Sequence, residues 1–193
     1  MERLLPWKVH LCCALLALCV LALSGSAATE PLPPRTDYYS GRLRTNIPAS
    51  HLFLESEFLL TRTLDPAAGL IREQLSLLEP GGICRSFESE LMVSGSEFSM
   101  PGPEGEAERS GVLGGADWAW DFQRYVSPAA ADGLSVEGTL RLEGAGLHRE
   151  TRIEDASGRI LVYIIEDGSQ LDEEQYSAIL TRWAALSGNI SRS

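Results

Sequence analysis

Lysine and histidine are scarce in this sequence. Lys8 is the only lysine, so every basic residue after it is an arginine, and the 193 residues carry a formal net charge of −11. An acidic chain without a run of basic residues lacks the electrostatic footprint of a nucleic-acid-binding protein or of one that binds anionic membranes. We therefore expect neither nucleic acid nor an anionic membrane surface as a partner.

Cysteine is scarce beyond the N-terminal segment. Three of the four cysteines lie within the first 19 residues, and Cys84 is the only later one. Removal of the N-terminal segment would leave one thiol, which excludes an intrachain disulfide. Stability is then expected from a hydrophobic core. Cys84 could pair with another molecule, but a buried and inert thiol is the more frequent outcome.

Motifs for catalysis and metal binding are missing as well. Beyond the N-terminal segment the histidines are His51 and His148, and neither has the spacing of a zinc motif such as His-Glu-x-x-His. His148 and Glu150 would share one face of a strand, but Leu147 and Ile153 occupy the opposite, core-facing side, so the pair is expected to face solvent. The sequence thus predicts no catalytic residue, no metal site and no cofactor.

The N-terminal segment itself has the features of a targeting signal. Lys8 closes a short positive region, the run over 9–23 is apolar, and Gly25 and Ala27 stand at the −3 and −1 positions that signal peptidase reads. We predict a signal peptide over 1–27 and a secreted or periplasmic protein with no transmembrane segment after cleavage. An uncleaved signal anchor is the alternative, because the apolar run is nearly long enough to cross a bilayer.

The rest of the chain is predicted to form a proline-rich linker over 28–39 and a single domain over 40–193. Apolar and polar residues alternate in segments separated by turns that contain proline or glycine, which is typical of antiparallel strands. The apolar sets expected to face a core are Leu52, Leu54, Phe58 and Leu60; Ile71, Leu75 and Leu77; Phe87, Leu91 and Val93; and Leu134, Val136, Leu140 and Leu142.

The domain is expected to end in a strand followed by a helix. The segment over 159–165 is apolar on both faces, which calls for cover on both sides. A helix over about 172–187 follows, with Asp172 as N-cap and Gln175 at the capping-box position. We expect this helix to pack outside the sheet, over Leu161, Tyr163 and Ile165.

About eight to ten antiparallel strands in series must hide their edges, and closure into an up-and-down β-barrel does so. The order of elements resembles the calycin architecture, lipocalins included, in which a barrel is followed by a helix packed outside it. The resemblance covers most of the chain and rests on element order. The lipocalin Gly-x-Trp signature is absent, since Gly41 is followed by Arg42 and Leu43.

The most aromatic stretch runs over 117–126. Trp118, Trp120 and Phe122 fall on one side of a two-residue period, which predicts a half-buried strand with its aromatic face inward. These rings could line a barrel cavity for an apolar ligand, with Arg124 orienting an acidic head group. We take these four residues as candidate ligand-binding residues. The alternative is that the rings fill a dry core.

The leading interpretation is a non-enzymatic protein that holds a small hydrophobic or amphipathic ligand in a β-barrel. The alternative is a structural or interaction protein of the envelope or extracellular space, with a packed barrel and no ligand. An enzyme ranks third, because nothing in the sequence brings a nucleophile and a base together.

Overall fold

Ten antiparallel strands and one long helix make up the computed structural model, which describes residues 32–79, 82–101, 107–115, 118, 120–127 and 133–190. The strands are β1 (Arg35–Ile47), β2 (Leu52–Asp65), β3 (Leu70–Leu78), β4 (Cys84–Ser94), β5 (Glu97–Pro101), β6 (Ala107–Gly114), β7 (Phe122–Ser127), β8 (Ser135–Glu143), β9 (Gly146–Glu154) and β10 (Ile160–Leu171). The helix α1 spans Glu173–Ile190, and a short 3₁₀ turn, Pro48–Ser50, lies between β1 and β2.

Each strand pairs with the next in sequence, and β10 pairs back onto β1, so the sheet closes into a barrel. The expected up-and-down barrel with one C-terminal helix is confirmed. Closure removes the free edges that a meander of this length would otherwise expose. In the turn before β10, the Asp155 carboxylate accepts hydrogen bonds from backbone amides of Ser157 and Arg159, and Gly158 has φ 79°.

Register shows which residues face inward, because directly paired residues of neighbouring antiparallel strands share a face. Tyr39 pairs with Leu60, and Leu60 pairs with Leu75, which places all three in the interior. Continuing round the barrel confirms the inward sets expected for β3, β4 and β8. On β2, Phe58 and Leu60 are buried as expected, whereas Leu52 and Leu54 are exposed at the tip of the β1–β2 hairpin.

The apolar interior is divided into two clusters. One contains Leu64, Ile71, Leu91, Phe98, Leu113, Trp120 and Tyr125. The other contains Tyr39, Leu43, Phe58, Leu60, Leu140 and Leu147. The boundary between the clusters crosses β2, since Leu64 and Leu60 belong to different clusters and Arg62 lies between them. A polar layer therefore crosses the interior.

Helix α1 packs on the outer face of the barrel. Its capping box forms as predicted: the Gln175 amide donates to the Asp172 carboxylate at 2.7 Å, and the Asp172 amide donates to the Gln175 side chain at 3.1 Å. The ring of Tyr176 lies 4.7 Å from that of Tyr38. On the same side, Leu59 is buried although the register turns it outward.

Three details differ from the sequence-based expectations. The helix packs against β1 as well as β10, with Tyr176 against Tyr38 and Arg182 near Glu57 of β2, whereas β10 alone was expected. The predicted linker is too long, since β1 already begins at Arg35. Cys84 is exposed, because it begins β4 at the rim of the barrel.

The predicted signal peptide and residues 28–31 of the predicted linker lie outside the described residues. Within the described part of the chain, no helix combines the length and apolarity that crossing a membrane requires.

Candidate ligand-binding site

Five largely buried charged residues occupy inward positions at which the strand pattern calls for apolar side chains. One of them, Asp37 of β1, pairs with Arg62 in the register and forms a salt bridge with Arg35. Arg62 lies on the same face of β2 as Phe58, Leu60 and Leu64. Glu73 lies on the same face of β3 as Ile71 and Leu75. Arg149 and Glu166 hold equivalent positions on β9 and β10 and pair directly with each other in the register. The pairing of Arg62 with Glu73 is likewise direct. We call Arg62, Glu73, Arg149 and Glu166 the charged layer.

Salt bridges connect the members of the charged layer. Glu73 accepts from Arg62 Nε at 3.2 Å on one oxygen and from Arg149 Nη2 at 2.8 Å on the other. Arg149 Nη1 lies 3.3 Å from Glu166 Oε2. The Arg62 guanidinium also donates from Nη1 to the Trp120 carbonyl at 3.3 Å. Two guanidinium groups thus face two carboxyl groups inside the barrel.

Burial and pairing act in opposite directions on these groups. Burial disfavours ionised Glu73, but Arg149 and Arg62 outweigh it and hold the pKa of Glu73 below its ordinary value. Glu166 has only Arg149 opposite it, so burial dominates and raises the pKa of Glu166. Glu73 is therefore the firmly ionised carboxylate of the layer, and Glu166 is the first to take up a proton on acidification.

A second polar group lies beside the charged layer, on β7 and β9. The Tyr125 hydroxyl lies 2.6 Å from Thr151 Oγ1, and the ring reaches it by passing over Gly138, where an added Cβ would lie 2.1 Å from Tyr125 Cζ. Gln123 is 4% exposed, and its Oε1 has no hydrogen-bond partner among the described residues. An unpaired buried acceptor is unusual in a folded protein.

In the described part of the chain, the barrel wall beside these residues is only partly hydrogen-bonded. β4 has 11 residues, but in the described part of the chain it pairs with β5 only at Met92, Val93 and Ser94. Among the described residues, the strand pairs of residues 84–91 are therefore all with β3, and residues 102–106, which follow β5, lie outside the described part. Phe87 shows the effect, because the register turns it inward and yet its side chain is 52% exposed.

A cavity of about 180 Å³ lies behind this part of the wall. Its apolar walls are formed by Leu75, Phe87, Leu91 and Met100, and its polar floor is formed by Glu73, Gln123, Tyr125 and Arg149. Glu88 and Ser89 of β4 add polar groups to the lining. An apolar lining with a few convergent polar groups is the usual composition of small-molecule sites, although most of those measure about 300–1,000 Å³. The volume therefore suits a small ligand. We call this space the side cavity.

Two of the four sequence-predicted site residues, Trp118 and Trp120, do not line the side cavity, although Trp120 belongs to the same apolar cluster as the lining residues Leu91 and Tyr125. Trp120 is buried in the apolar cluster around Leu64, and its ring lies 6.1 Å from that of Trp118. Trp118 has φ 63°, a left-handed conformation that interrupts the extended chain. It lines a surface groove together with Leu32, Pro33 and Leu64.

The other two predicted residues face outward, which corrects the expected orientation. β7 begins at Phe122, after the turn at Trp118, so the alternation of the tryptophans does not continue into the strand. A shift of one residue exchanges the two faces of a strand. Gln123 and Tyr125 therefore point inward, while Phe122 points outward and Arg124 pairs with Glu137 at 2.6 Å on the surface.

Sequence reasoning missed the charged layer and Gln123. A signal for the layer was present, because each of its members stands in the apolar phase of its own strand. A single charged residue in an apolar phase is a weak signal, and only the barrel register shows that four strands place theirs together. The inward position of Gln123 could be predicted only if the first residue of β7 were known.

His148 lies on the outer surface, as expected, between two carboxylates. Its Nδ1 is 2.6 Å from Asp167, and its Nε2 is 3.1 Å from Glu150. Hydrogen bonds to Asp167 and Glu150 raise the pKa of His148. Within the described residues, no group of three or more His, Cys, Asp or Glu side chains is placed to hold a metal ion.

Comparisons with known proteins identify the architecture. No family model matches the sequence. No curated protein matches it. A crystal structure of a protein of unknown function from the DUF3598 family of Nostoc punctiforme PCC 73102 is similar, with a TM-score of 0.53 and 15% identity, over 75% of this chain and 53% of that one.

The crystal structure of Rv2717c from M. tuberculosis is similar too, with a TM-score of 0.53 and 13% identity, over 79% of this chain and 97% of that one. The chain thus spans about half of the Nostoc protein and nearly all of the mycobacterial one. At such low identity the likeness shows the fold alone, a β-barrel shared with neighbours for which no function is stated.

Proposed function

We propose that this chain is a secreted or periplasmic, non-enzymatic binding protein that holds a small amphipathic ligand in the side cavity. The observation that carries the proposal is the side cavity beside β4, which has apolar walls and a polar floor inside a closed barrel. Natural binding sites combine these features, because apolar area supplies affinity and a few polar groups supply orientation.

The state of the charged groups supports binding rather than catalysis. Glu73 and Arg149 both line the side cavity, but each is already engaged by an oppositely charged partner. A general base needs a free, suitably tuned group within reach of the proton that it removes. Because the salt bridges hold Glu73 ionised at an unusually low pKa, it is a weak base.

The compartment is part of the proposal and rests on the N-terminal sequence. The positive region, the apolar run and the small residues up to Ala27 match a secretory signal. N-terminal sequencing of the protein isolated from its own host would test this. A mature chain that begins at Ala28 supports export, and a chain that keeps Lys8 contradicts cleavage.

Binding is tested by native mass spectrometry of the mature protein purified from its host, with tryptophan fluorescence before and after extraction with organic solvent. We expect a bound small molecule in the wild type. Ser89→Phe adds a ring at an inward position of β4 beside Glu73 and should abolish the bound mass. Met92→Phe adds a ring at an outward position of the same strand and should retain it.

A bare polypeptide mass from the wild type, with emission unchanged by extraction, would overturn the binding proposal. It would favour the second candidate, an interaction protein without a ligand. The observation behind that candidate is the tip of the β1–β2 hairpin, where Leu52, Phe53 and Leu54 are all exposed. Exposed apolar patches on folded domains often mark contact sites for other proteins.

The second candidate is tested by incorporating a photo-crosslinking residue at Phe53 in the host. A single crosslinked product of defined mass would support it. The control is Val112, which is also exposed but lies on β6. Equal labelling from both positions would show that the hairpin tip has no particular partner.

A further inference from the structure

The charged layer beside the side cavity is balanced internally. Arg62 and Arg149 are matched by Glu73 and Glu166 when both carboxyl groups are ionised, and buried Asp37, which pairs with Arg62 in the register, is matched by Arg35. An ionised head group on a ligand would bring one unmatched charge into this buried region. Unmatched buried charges are strongly disfavoured, because their hydration is lost without compensation. The balance therefore disfavours both carboxylate and ammonium head groups.

Most polar groups on the floor of the cavity are already engaged. Tyr125 bonds to Thr151, and Glu73 and Arg149 bond to each other. Gln123 differs, because its Oε1 has no partner among the described residues although the side chain is almost completely buried. A buried acceptor without a partner is costly, so a ligand that donates a hydrogen bond to it is favoured.

The walls of the cavity restrict the rest of the ligand. Leu75, Leu91 and Met100 present apolar surface, and the volume of about 180 Å³ is small. We propose that the side cavity selects short-chain amphiphiles whose head group is an uncharged hydrogen-bond donor, an alcohol or a primary amide, which donates to Gln123. This inference rests on the proposed function and specifies its ligand class.

The test compares four probes with one alkyl chain and different head groups: hexanol, hexanamide, hexanoate and hexylamine. Binding to the mature protein is followed by NMR, through the chemical shifts of the Gln123 side-chain amide. Burial raises the pKa of Glu166, so the titrations are run at about pH 7 and again at about pH 9, because the ionisation of Glu166 sets the charge balance of the layer. We expect hexanol and hexanamide to bind roughly tenfold or more tightly than the charged probes.

Two variants connect this preference to Gln123. Gln123→Met keeps the length of the side chain and removes the acceptor, so hexanol and hexanamide should lose roughly tenfold in affinity, about the value of one hydrogen bond. Arg124→Gln is the matched control, because Arg124 is the next residue and points outward to Glu137. The control should bind all four probes as the wild type does.

The outcomes separate this inference from the proposed function. If hexanoate or hexylamine binds best, or if Gln123→Met binds hexanol as well as the wild type does, the ligand class is wrong and the binding function stands. If none of the probes binds and the protein from its host carries no small molecule, the proposed function fails too. The order of the probe affinities for the wild type tests the proposed ligand class even if Gln123→Met fails to fold.

Discussion

At the scale of single residues, the charged layer is the feature that most distinguishes this barrel. Arg62 is completely buried, and both oxygens of Glu73 are engaged by guanidinium groups. Burying ions is expensive, and pairing recovers that cost only when the geometry is good. The layer is therefore more sensitive to the loss of one member than an exposed ion pair would be.

Glu73→Gln tests this sensitivity. The amide keeps the size of the side chain but leaves Arg62 and Arg149 without their shared counter-charge. We expect the free energy of unfolding to fall by about 3–5 kcal/mol, the range found when one partner of a buried pair is removed. Chemical denaturation of the purified domain measures it.

Glu90→Gln is the control, because Glu90 pairs with Arg72 on the outer face of the next strand, where both side chains are about half exposed. Its loss should cost no more than about 1 kcal/mol. Equal costs for the two variants would contradict the view that the layer is a buried, mutually dependent group.

The absence of a side chain at Gly138 leaves room for the ring of Tyr125. Because an added Cβ would lie 2.1 Å from the Tyr125 ring, Gly138→Ala must displace the ring or the strand. We expect a loss of about 1–3 kcal/mol in the free energy of unfolding, as for other overpacked cores. Thr139→Ala, at the neighbouring outward position, should cost less. A neutral Gly138→Ala would show that Tyr125 does not depend on this gap for its position.

At the scale of elements, the sequence predicted faces well wherever a strand was regular. The inward residues of β3 and β4 followed from simple alternation, because turns with glycine or proline define both ends of each strand. The predicted faces of β7 were wrong because the stretch before it alternates like a strand but contains Trp118 in a left-handed conformation. Nothing in an alternating pattern reveals that break, and the resulting shift concealed Gln123.

The candidate site was less predictable than the fold for a related reason. Glu73 and Arg149 come from strands that are far apart in sequence, and only closure of the barrel brings them together. The side cavity lies where few of the described residues of β5 pair with β4, which alternation does not report. Local patterns therefore predicted the elements, whereas long-range register determined the site.

His148 links β9 to β10 on the outer face, and this link should depend on pH. Its neighbours are Asp167 and Glu150; Arg44 approaches Asp167, and Arg152 approaches Glu150. The hydrogen bonds to the carboxylates raise the pKa of His148 above its ordinary value of 6.5. Protonated His148 therefore contributes stability fully below pH 6.5, and this contribution is lost as the pH rises through the raised pKa.

NMR titration of the imidazole measures this effect directly. We expect a pKa above 6.5 in the wild type and a lower value in Asp167→Asn, because the strongest partner of the imidazole has lost its charge. Glu88→Gln, on β4, should leave the titration unchanged. The imidazole is 42% exposed, so solvent screening limits its contribution to stability to under about 1 kcal/mol. An unchanged pKa in Asp167→Asn would refute the pairing.

At the scale of the whole molecule, the barrel is a closed ring of hydrogen-bonded strands. The short pairing between β4 and β5, which we call the seam, has three residue pairs among the described residues, Met92, Val93 and Ser94 with Ser99, Phe98 and Glu97. Most neighbouring strands pair over nearly their full length, as β1 and β2 do from Arg35 to Ile47. At the seam, the strand pairs that the described residues give to the first part of β4 all lie on its β3 side. Backbone groups without a strand partner bond to water instead and open at low free-energy cost.

The rate of hydrogen exchange, measured by mass spectrometry, should therefore differ between the strands of the barrel. We expect peptides covering Cys84–Leu91 to exchange about half of their amides much faster than peptides of β2, since alternate amides of an antiparallel strand point to opposite sides. Because the side cavity lies at this seam, a bound ligand should slow exchange in β4 and leave β1 and β2 unchanged. Uniform protection of β4 and β2 without ligand would mean that β4 is paired on both sides, and the entrance to the cavity would then be closed.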